Sequence, residues 1–297
     1  MHKFIVKILF VFISVFISGC SKEDAPTNTP PPNTVTKSPK RGLAYNLTHP
    51  LDLDTLKNGI SWWYNWYHSS TAPANYYADY KMEFIPMLWG GNTSSGDMIQ
   101  VKNYIMNHPE IQYLLVMNEP NLTDQANRTP QQAAADWLKY EQVISELAAQ
   151  QRTVYLVGPA MTWGTMSGFS DPVVWLDAFY EAYKSANGGR LPKIDYLAFH
   201  WYDYGLEAQL NRLQKYGKKI WITEMANWNA QINSYQKQAE QMQQMVALCE
   251  SREDVFRYAW FIGRGNFPDN KFTYLFNAAP GDLNELGKLY LSLPYSQ

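Results

Sequence analysis

Two glutamates each close a hydrophobic, strand-like run: Glu119 in Val116-Met117-Asn118-Glu119-Pro120-Asn121, and Glu224 in Trp221-Ile222-Thr223-Glu224-Met225. Two carboxyls flanking one bond can perform glycoside cleavage with retention. One protonates the leaving oxygen and the other attacks the anomeric carbon, with about 5 to 5.5 Å between them. Asn118, directly before Glu119, adds an amide that can hydrogen-bond a sugar 2-hydroxyl, a contact that strengthens in the transition state. Other chemistries have less support. The five histidines are scattered, with no His-Glu-x-x-His or paired-cysteine spacing, so neither a catalytic metal nor another cofactor is expected. Cys249 falls on the apolar stripe Tyr235, Ala239, Met242, Val246, Cys249, a spacing that favours a buried thiol over a nucleophile.

Glutamates so distant in sequence meet only if several strands end at one rim, as they do in a parallel barrel. From Arg41 onward, eight apolar and β-branched runs (42–46, 60–66, 83–89, 113–119, 153–159, 195–202, 219–224 and 257–262) alternate with longer helical or loop-like segments. This alternation predicts the α/β class and a single (β/α)8 TIM barrel over 41–297, without a repeat or a second domain. The best-marked crossover helix lies between the fourth and fifth runs. Thr129 is its N-cap, Pro130 its first residue, and Ala134, Leu138, Tyr140, Ile144, Leu147 and Ala148 its apolar stripe. Further helices are expected at 173–186, 207–215, 235–251 and 283–291, with a short one at 51–58; the other early crossovers carry no clear pattern.

Strand alternation groups Leu115, Met117 and Glu119 on one face, Ile220, Ile222 and Glu224 on another, and Ala198, His200 and Tyr202 on a third. Tyr202 is then placed to donate its hydroxyl to Glu224. His200 either binds a sugar hydroxyl, orients a neighbour or is a satisfied core histidine. Trp62, Trp66, Trp89, Trp163 and Trp228 fall at or after strand ends, and Trp260 lies near the rim of the eighth run. Such tryptophans are either sugar platforms or packing.

Composition narrows the ligand. Lys and Arg total 25 against 27 Asp and Glu, a net charge of -2, so nucleic acid is not an expected partner and a neutral one is. Eleven Trp, 21 Tyr and 13 Phe serve the core in part and also suit the apolar faces of sugar rings, and composition alone does not divide the two roles. Residues 1–19 read as a signal peptide, apolar from Phe4 to Ile17 apart from Lys7 and Ser14. Its end, Ile17-Ser18-Gly19-Cys20, resembles a bacterial lipobox, which implies lipidation of Cys20. The following Ser21-Lys22-Glu23-Asp24 is similar to signals that send lipoproteins to the outer cell surface. Residues 20–40, with Pro26, Pro30, Pro31, Pro32 and Pro39, read as an extended tether. A membrane partner is thus expected through that lipid anchor only, on an otherwise monomeric chain.

Asn-Glu-Pro at the end of a fourth strand, with Glu ending the seventh, resembles the large clan of retaining (β/α)8 glycosidases. More narrowly, Gly42-Leu43-Ala44-Tyr45-Asn46, Trp62-Trp63-Tyr64-Asn65-Trp66, Phe84-Ile85-Pro86-Met87-Leu88-Trp89-Gly90, Gly158-Pro159-Ala160, His200-Trp201-Tyr202 and Tyr258-Ala259-Trp260-Phe261 resemble glycoside hydrolase family 128. The resemblance implies endo-cleavage of β-1,3-glucan with retention, Glu119 as acid/base, Glu224 as nucleophile, and a tryptophan, Trp260, under the sugar being cleaved. The stretch 67–80 departs from the family pattern and leaves the chain-length preference open. Two other readings stay open on the residues alone: a clan member acting on β-mannan, xylan or mixed-linkage glucan, and a surface glycan-binding lipoprotein without catalysis.

Overall fold

In the computed structural model, residues 37–265 and 272–295 are described. The expected signal peptide, Cys20 and most of the expected tether lie outside them. The apolar runs form nine strands: β1 Arg41–Ala44, β2 Trp62–Tyr64, β3 Glu83–Phe84, β4 Met87–Leu88, β5 Tyr113–Val116, β6 Tyr155–Met161, β7 Tyr196–Trp201, β8 Ile220–Met225 and β9 Val255–Trp260. All pair in parallel in one sheet, ordered β3-β2-β1-β9-β8-β7-β6-β5-β4. The third predicted run is split at Ile85-Pro86, where proline has no N–H to give to a ladder. Its halves are the two ends of the sheet order, and the residues between them bond both ways. Ile85 N donates to Trp63 O at 2.9 Å, and Pro86 O accepts from Leu115 N at 3.0 Å. The sheet curls far enough for rings from three separated strands to meet, with Trp221 lying 5.1 Å from Trp62 and 4.9 Å from Tyr113.

Eight α-helices alternate with the strands: α1 Pro50–Leu56, α2 Tyr76–Tyr80, α3 Ser95–Asn107, α4 Pro130–Ala149, α5 Pro172–Ala186, α6 Leu206–Leu213, α7 Tyr235–Ser251 and α8 Glu285–Ser292. The α4 start forms a full capping box, in which the Thr129 side chain accepts from Gln132 N and the Gln132 side chain accepts from Thr129 N. Its stripe runs one residue earlier than expected at one turn, because Trp137 is buried while Leu138 is 44% exposed. α3 was not expected: only Val101 and Ile105 are buried along it, too few to make a stripe, although Ser94 and Asp97 form a capping box at its start.

Residues 37–40, expected in the tether, are docked on the domain. Lys37 Nζ donates to Ile60 O at 2.7 Å and Lys81 O at 2.8 Å, the buried Ser38 hydroxyl donates to Glu250, and Lys40 Nζ donates to Arg252 O at 2.9 Å. The folded unit therefore begins before Arg41.

One apolar layer packs the sheet against the helices, and a second fills the concave side with Trp62, Tyr113, Leu115, Val157, Ala198, Trp221 and Ala259. Arg257 lies against the concave layer, its guanidinium 4.8 Å from the Trp221 ring and paired with Glu83 at 2.7 Å. The strands thus present their carboxyl ends around a solid floor, and the site is built above it.

Candidate active site

Neither glutamate reaches the site by simple alternation. In β8 the inward residue is Trp221, while Ile220 and Ile222 face the helices. Strict alternation would turn Glu224 outward as well. The pairing register jumps between Phe199↔Ile222 and His200↔Glu224, so Thr223 is an extra residue that returns Glu224 to the concave side. In β5 the inward residues are Tyr113 and Leu115, but Met117 packs in the outer layer. Left-handed backbone at Met117 (φ 57°) and Glu119 (φ 45°) breaks the pattern after Val116. Such conformations are costly for residues with side chains and concentrate where geometry serves function. The shared faces Leu115-Met117-Glu119 and Ile220-Ile222-Glu224 are therefore corrected, although both carboxyls do meet.

Oxygens of Glu119 and Glu224 and a ring nitrogen of His200 lie within 4.8 Å of one another. All three side chains are buried. His200 Nδ1 is 2.8 Å from Glu119 Oε1 and 3.4 Å from Glu224 Oε2, and its Nε2 is 2.9 Å from Thr223 Oγ1. Burial disfavours the charged imidazole, but the Glu224 charge and the hydrogen bond and charge of Glu119 outweigh it and raise the His200 pKa. Glu224 receives three donors: Tyr64 OH at 2.7 Å and Trp66 Nε1 at 2.7 Å on Oε1, and Tyr202 OH on Oε2. Burial and then the Glu224 charge push both phenols well above the ordinary tyrosine range, so they remain protonated donors. The three ligand-type side chains are already bonded to one another or to these donors, an arrangement suited to aiming a carboxylate rather than to ligating an ion.

A cleft of about 590 Å³ opens over the pair, lined by Trp66, Trp89, Asn118, Trp163, Tyr202 and Trp228, among others. Asn118 donates to Gln125 Oε1 at 3.3 Å, while its own Oδ1 is buried without a partner among the described residues. That oxygen is an unpaired acceptor beside the glutamates. Tyr202 stacks on Trp228 at 4.1 Å and Phe261 abuts both Trp228 and Trp66, forming one aromatic wall. Trp163, 46% exposed, is held by Gln209 through its Nε1 at 3.2 Å, with the Arg212 guanidinium 5.5 Å from its ring.

Residues 42–290 match the family model described as the glycosyl hydrolase catalytic core. Among solved structures, the chain is similar to a subgroup II endo-β-1,3-glucanase of glycoside hydrolase family 128 from Pseudomonas viridiflava. The identity is 54%, the match covers 88% of this chain and 100% of that one, and the TM-score is 0.82. The chain belongs to glycoside hydrolase family 128. A second subgroup II endo-β-1,3-glucanase, from Sorangium cellulosum, is 32% identical over 87% of this chain and 100% of its own, with a TM-score of 0.73. Alkali-sensitive linkage protein 1 of Schizosaccharomyces pombe is 27% identical over 269 residues. That match takes in 86% of this chain but only 45% of the yeast protein, so the chain spans about half the length of this curated relative.

Within this family 128 hydrolase, two expected platforms are not in the cleft. Trp62 is fully buried in the concave floor, its Nε1 donating to Lys40 O at 2.9 Å. It shares a strand face with Tyr64 and Trp66 but lies below them. Trp260 is also fully buried, in the layer facing the helices, where its Nε1 donates to Thr273 O at 2.8 Å. Alternation along β9 explains the correction: Ala259 and Phe261 point inward, and Trp260 between them points away. Phe261 stands in its place on the wall. Tyr64, which carries no sequence signal of its own, is brought beside Trp66 by the same alternation in Trp62-Trp63-Tyr64-Asn65-Trp66. Cys249 is a buried helix residue as expected, and burial pushes its thiol pKa up.

Proposed function

We propose that the chain is an endo-acting β-1,3-glucanase that cleaves with retention, with Glu119 as general acid/base and Glu224 as nucleophile. One observation carries the reading: an oxygen of Glu119 lies within 4.8 Å of an oxygen of Glu224 over an open aromatic cleft. So close an approach of one oxygen from each carboxylate supports the short separation of a retaining pair, about 5 to 5.5 Å between carboxyls, over the wider one of about 6.5 to 9.5 Å in inverting enzymes. Glu119 gives its proton to the glycosidic oxygen as the C–O bond breaks, and a Glu224 oxygen forms an ester with the anomeric carbon. Water then attacks that carbon, losing its proton to the Glu119 carboxylate, and Glu224 departs with the ester electrons. The tyrosine and tryptophan donors on Glu224 aim it in the first step and stabilise its returning charge in the second. Asn118 Oδ1 accepts from the 2-hydroxyl of the sugar under attack.

The substrate follows from a wall of aromatic faces with few charges, which suits a neutral glucan, and from the β-1,3-glucanase activity of the two subgroup II relatives. We further read the sheet as a closed eight-stranded barrel in which β3 and β4 are one strand interrupted at Ile85-Pro86. The lipobox-like Cys20 supports a lipid anchor, and the residues after it support an outer-membrane, cell-surface location for a monomeric domain.

The test is a panel of laminarin, curdlan, β-mannan, xylan and mixed-linkage glucan, with reducing ends counted and early products sized. The expected result is cleavage of β-1,3-glucans to oligosaccharides of several lengths. Cleavage of mannan or xylan alone would contradict the substrate, and early release of a single small sugar would contradict endo action.

A further inference from the structure

His200 stands between the two glutamates, and the nitrogen that carries its hydrogen decides where the acid proton sits. The ring is fully buried, with Nδ1 2.8 Å from Glu119 Oε1 and 3.4 Å from Glu224 Oε2. A bare lone pair on Nδ1 would face the ionised Glu224 as well as Glu119, so Nδ1 carries a hydrogen and donates to Glu119 Oε1. Oε1 is thereby taken, and Oε2 is the oxygen left for the cleft that Glu119 lines. Two forms of the ring remain. In the neutral one Nε2 is a bare acceptor and Glu119 keeps the acid proton. In the imidazolium Nε2 is protonated too and Glu119 is left a carboxylate, with the same protons in the group. Burial opposes the imidazolium, but Glu224 and Glu119 favour it and raise the His200 pKa. Tyr64 and Tyr202, bonded to Glu224, stay protonated and add no charge. A further contact is needed to hold the neutral ring.

Thr223 supplies it. It is the extra residue of the β8 bulge, it is buried, and its Oγ1 lies 2.9 Å from His200 Nε2. That hydroxyl makes no other hydrogen bond among the described residues. Its hydrogen is therefore satisfied only by donation to a bare Nε2. Were Nε2 protonated, the hydroxyl would accept that bond and leave its own hydrogen buried and unpaired, which is costly. The bulge that returns Glu224 to the concave side thus also sets a hydroxyl on the far nitrogen of the histidine between the carboxyls.

We propose that Thr223 is a positioning residue for the acid/base: its hydroxyl donates to His200 Nε2 and holds the ring in the neutral Nδ1–H form, which keeps the acid proton on Glu119 Oε2. The inference rests on the assignment of Glu119 as acid/base. As the glycosidic C–O bond breaks, the Oε2 proton passes to the leaving oxygen. The O–H electron pair stays on Glu119, where Nδ1–H bonds the growing charge. Without the hydroxyl, Nε2 takes up a hydrogen in one of two ways. Either a second proton comes to the ring from Glu119, or the Nδ1 hydrogen is exchanged for it and Glu119 turns its own proton onto Nδ1. Both take the acid proton off Oε2.

The experiment compares wild type, Thr223→Val and Thr223→Ser in the full chain, with the histidine ring nitrogens isotope-labelled for NMR and the His200 signals identified by their loss in His200→Gln. Valine keeps the branching and size of threonine, so it tests the hydroxyl alone. Expected is a neutral Nδ1–H ring in wild type and Thr223→Ser across about pH 5 to 8, and a protonated Nε2 in Thr223→Val. On β-1,3-glucan, kcat should fall about tenfold in Thr223→Val and recover in Thr223→Ser. The burst of phenol from an activated aryl glycoside, which needs no acid, should stay within about twofold of wild type. A protonated Nε2 in wild type, the same ring form in all three proteins, or an equal loss on glucan and aryl glycoside as distorted packing would give, overturns the proposal while wild-type cleavage stands. Failure of wild type to cleave any β-1,3-glucan overturns the functional reading, and the role of Thr223 with it.

Discussion

Glu224→Gln is expected to lose at least about a thousandfold of kcat on every β-1,3-glucan, whatever the leaving group, because an amide cannot form the glycosyl ester. Glu119→Gln should behave differently. On polysaccharide it should lose about 10² to 10⁴-fold, the usual worth of general acid catalysis. On an aryl glycoside whose phenol leaves without protonation, the first step should be nearly normal and the glycosyl-enzyme should accumulate. Azide added to Glu119→Ala should then give a glycosyl azide of retained configuration, and azide added to Glu224→Ala one of inverted configuration. Equal losses for both variants on the aryl substrate, with no azide product, would contradict the division of roles. The division matches the structure: Glu224 is gripped by Tyr64, Trp66 and Tyr202, while Glu119 has the His200 ring.

Tyr202→Phe should lower kcat about a hundredfold, in the range found when one preorganised donor to a developing oxyanion is removed. The phenol bonds Glu224 Oε2, and Tyr64 and Trp66 share the other oxygen, so neither can replace it. The main effect should fall on the second step, in which Glu224 leaves as a carboxylate. Apparent KM should then drop along with kcat, and a burst of aryl leaving group should appear in rapid-mixing experiments. Tyr64→Phe should show the same pattern more weakly, since Trp66 still donates to Oε1. A Tyr202→Phe enzyme within threefold of wild type would show that the contact is structural only. The fold should survive both changes, as the lost hydroxyls face the cleft side of the sheet and the rings remain.

Much of this arrangement is visible in the sequence, and the failures share a cause. Strand order and the α4 start follow from hydrophobic runs and from Thr129-Pro130, which act locally. The two glutamates stand out through their neighbours, yet simple alternation does not turn them inward. A bulge at Thr223 and left-handed backbone at Met117 and Glu119 turn the carboxyls inward, and periodicity cannot see either device. Elsewhere alternation does hold. It separates inward Phe261 from outward Trp260, and it sets Tyr64 and Trp66 above a buried Trp62. His200 illustrates a third limit, because a buried strand histidine is ordinary until its partners are known. Here Glu119, Glu224 and Thr223 surround it, and all three come from other strands or from the bulge itself.

The central claim is that Glu119 and Glu224, with an oxygen of one within 4.8 Å of an oxygen of the other, cleave by double displacement. The most direct measurement follows the anomeric proton by NMR during the first minutes of hydrolysis of a linear β-1,3-gluco-oligosaccharide, before mutarotation mixes the anomers. The account predicts that the new reducing end appears first as the β-anomer. First appearance of the α-anomer would mean a single displacement by water and would contradict it.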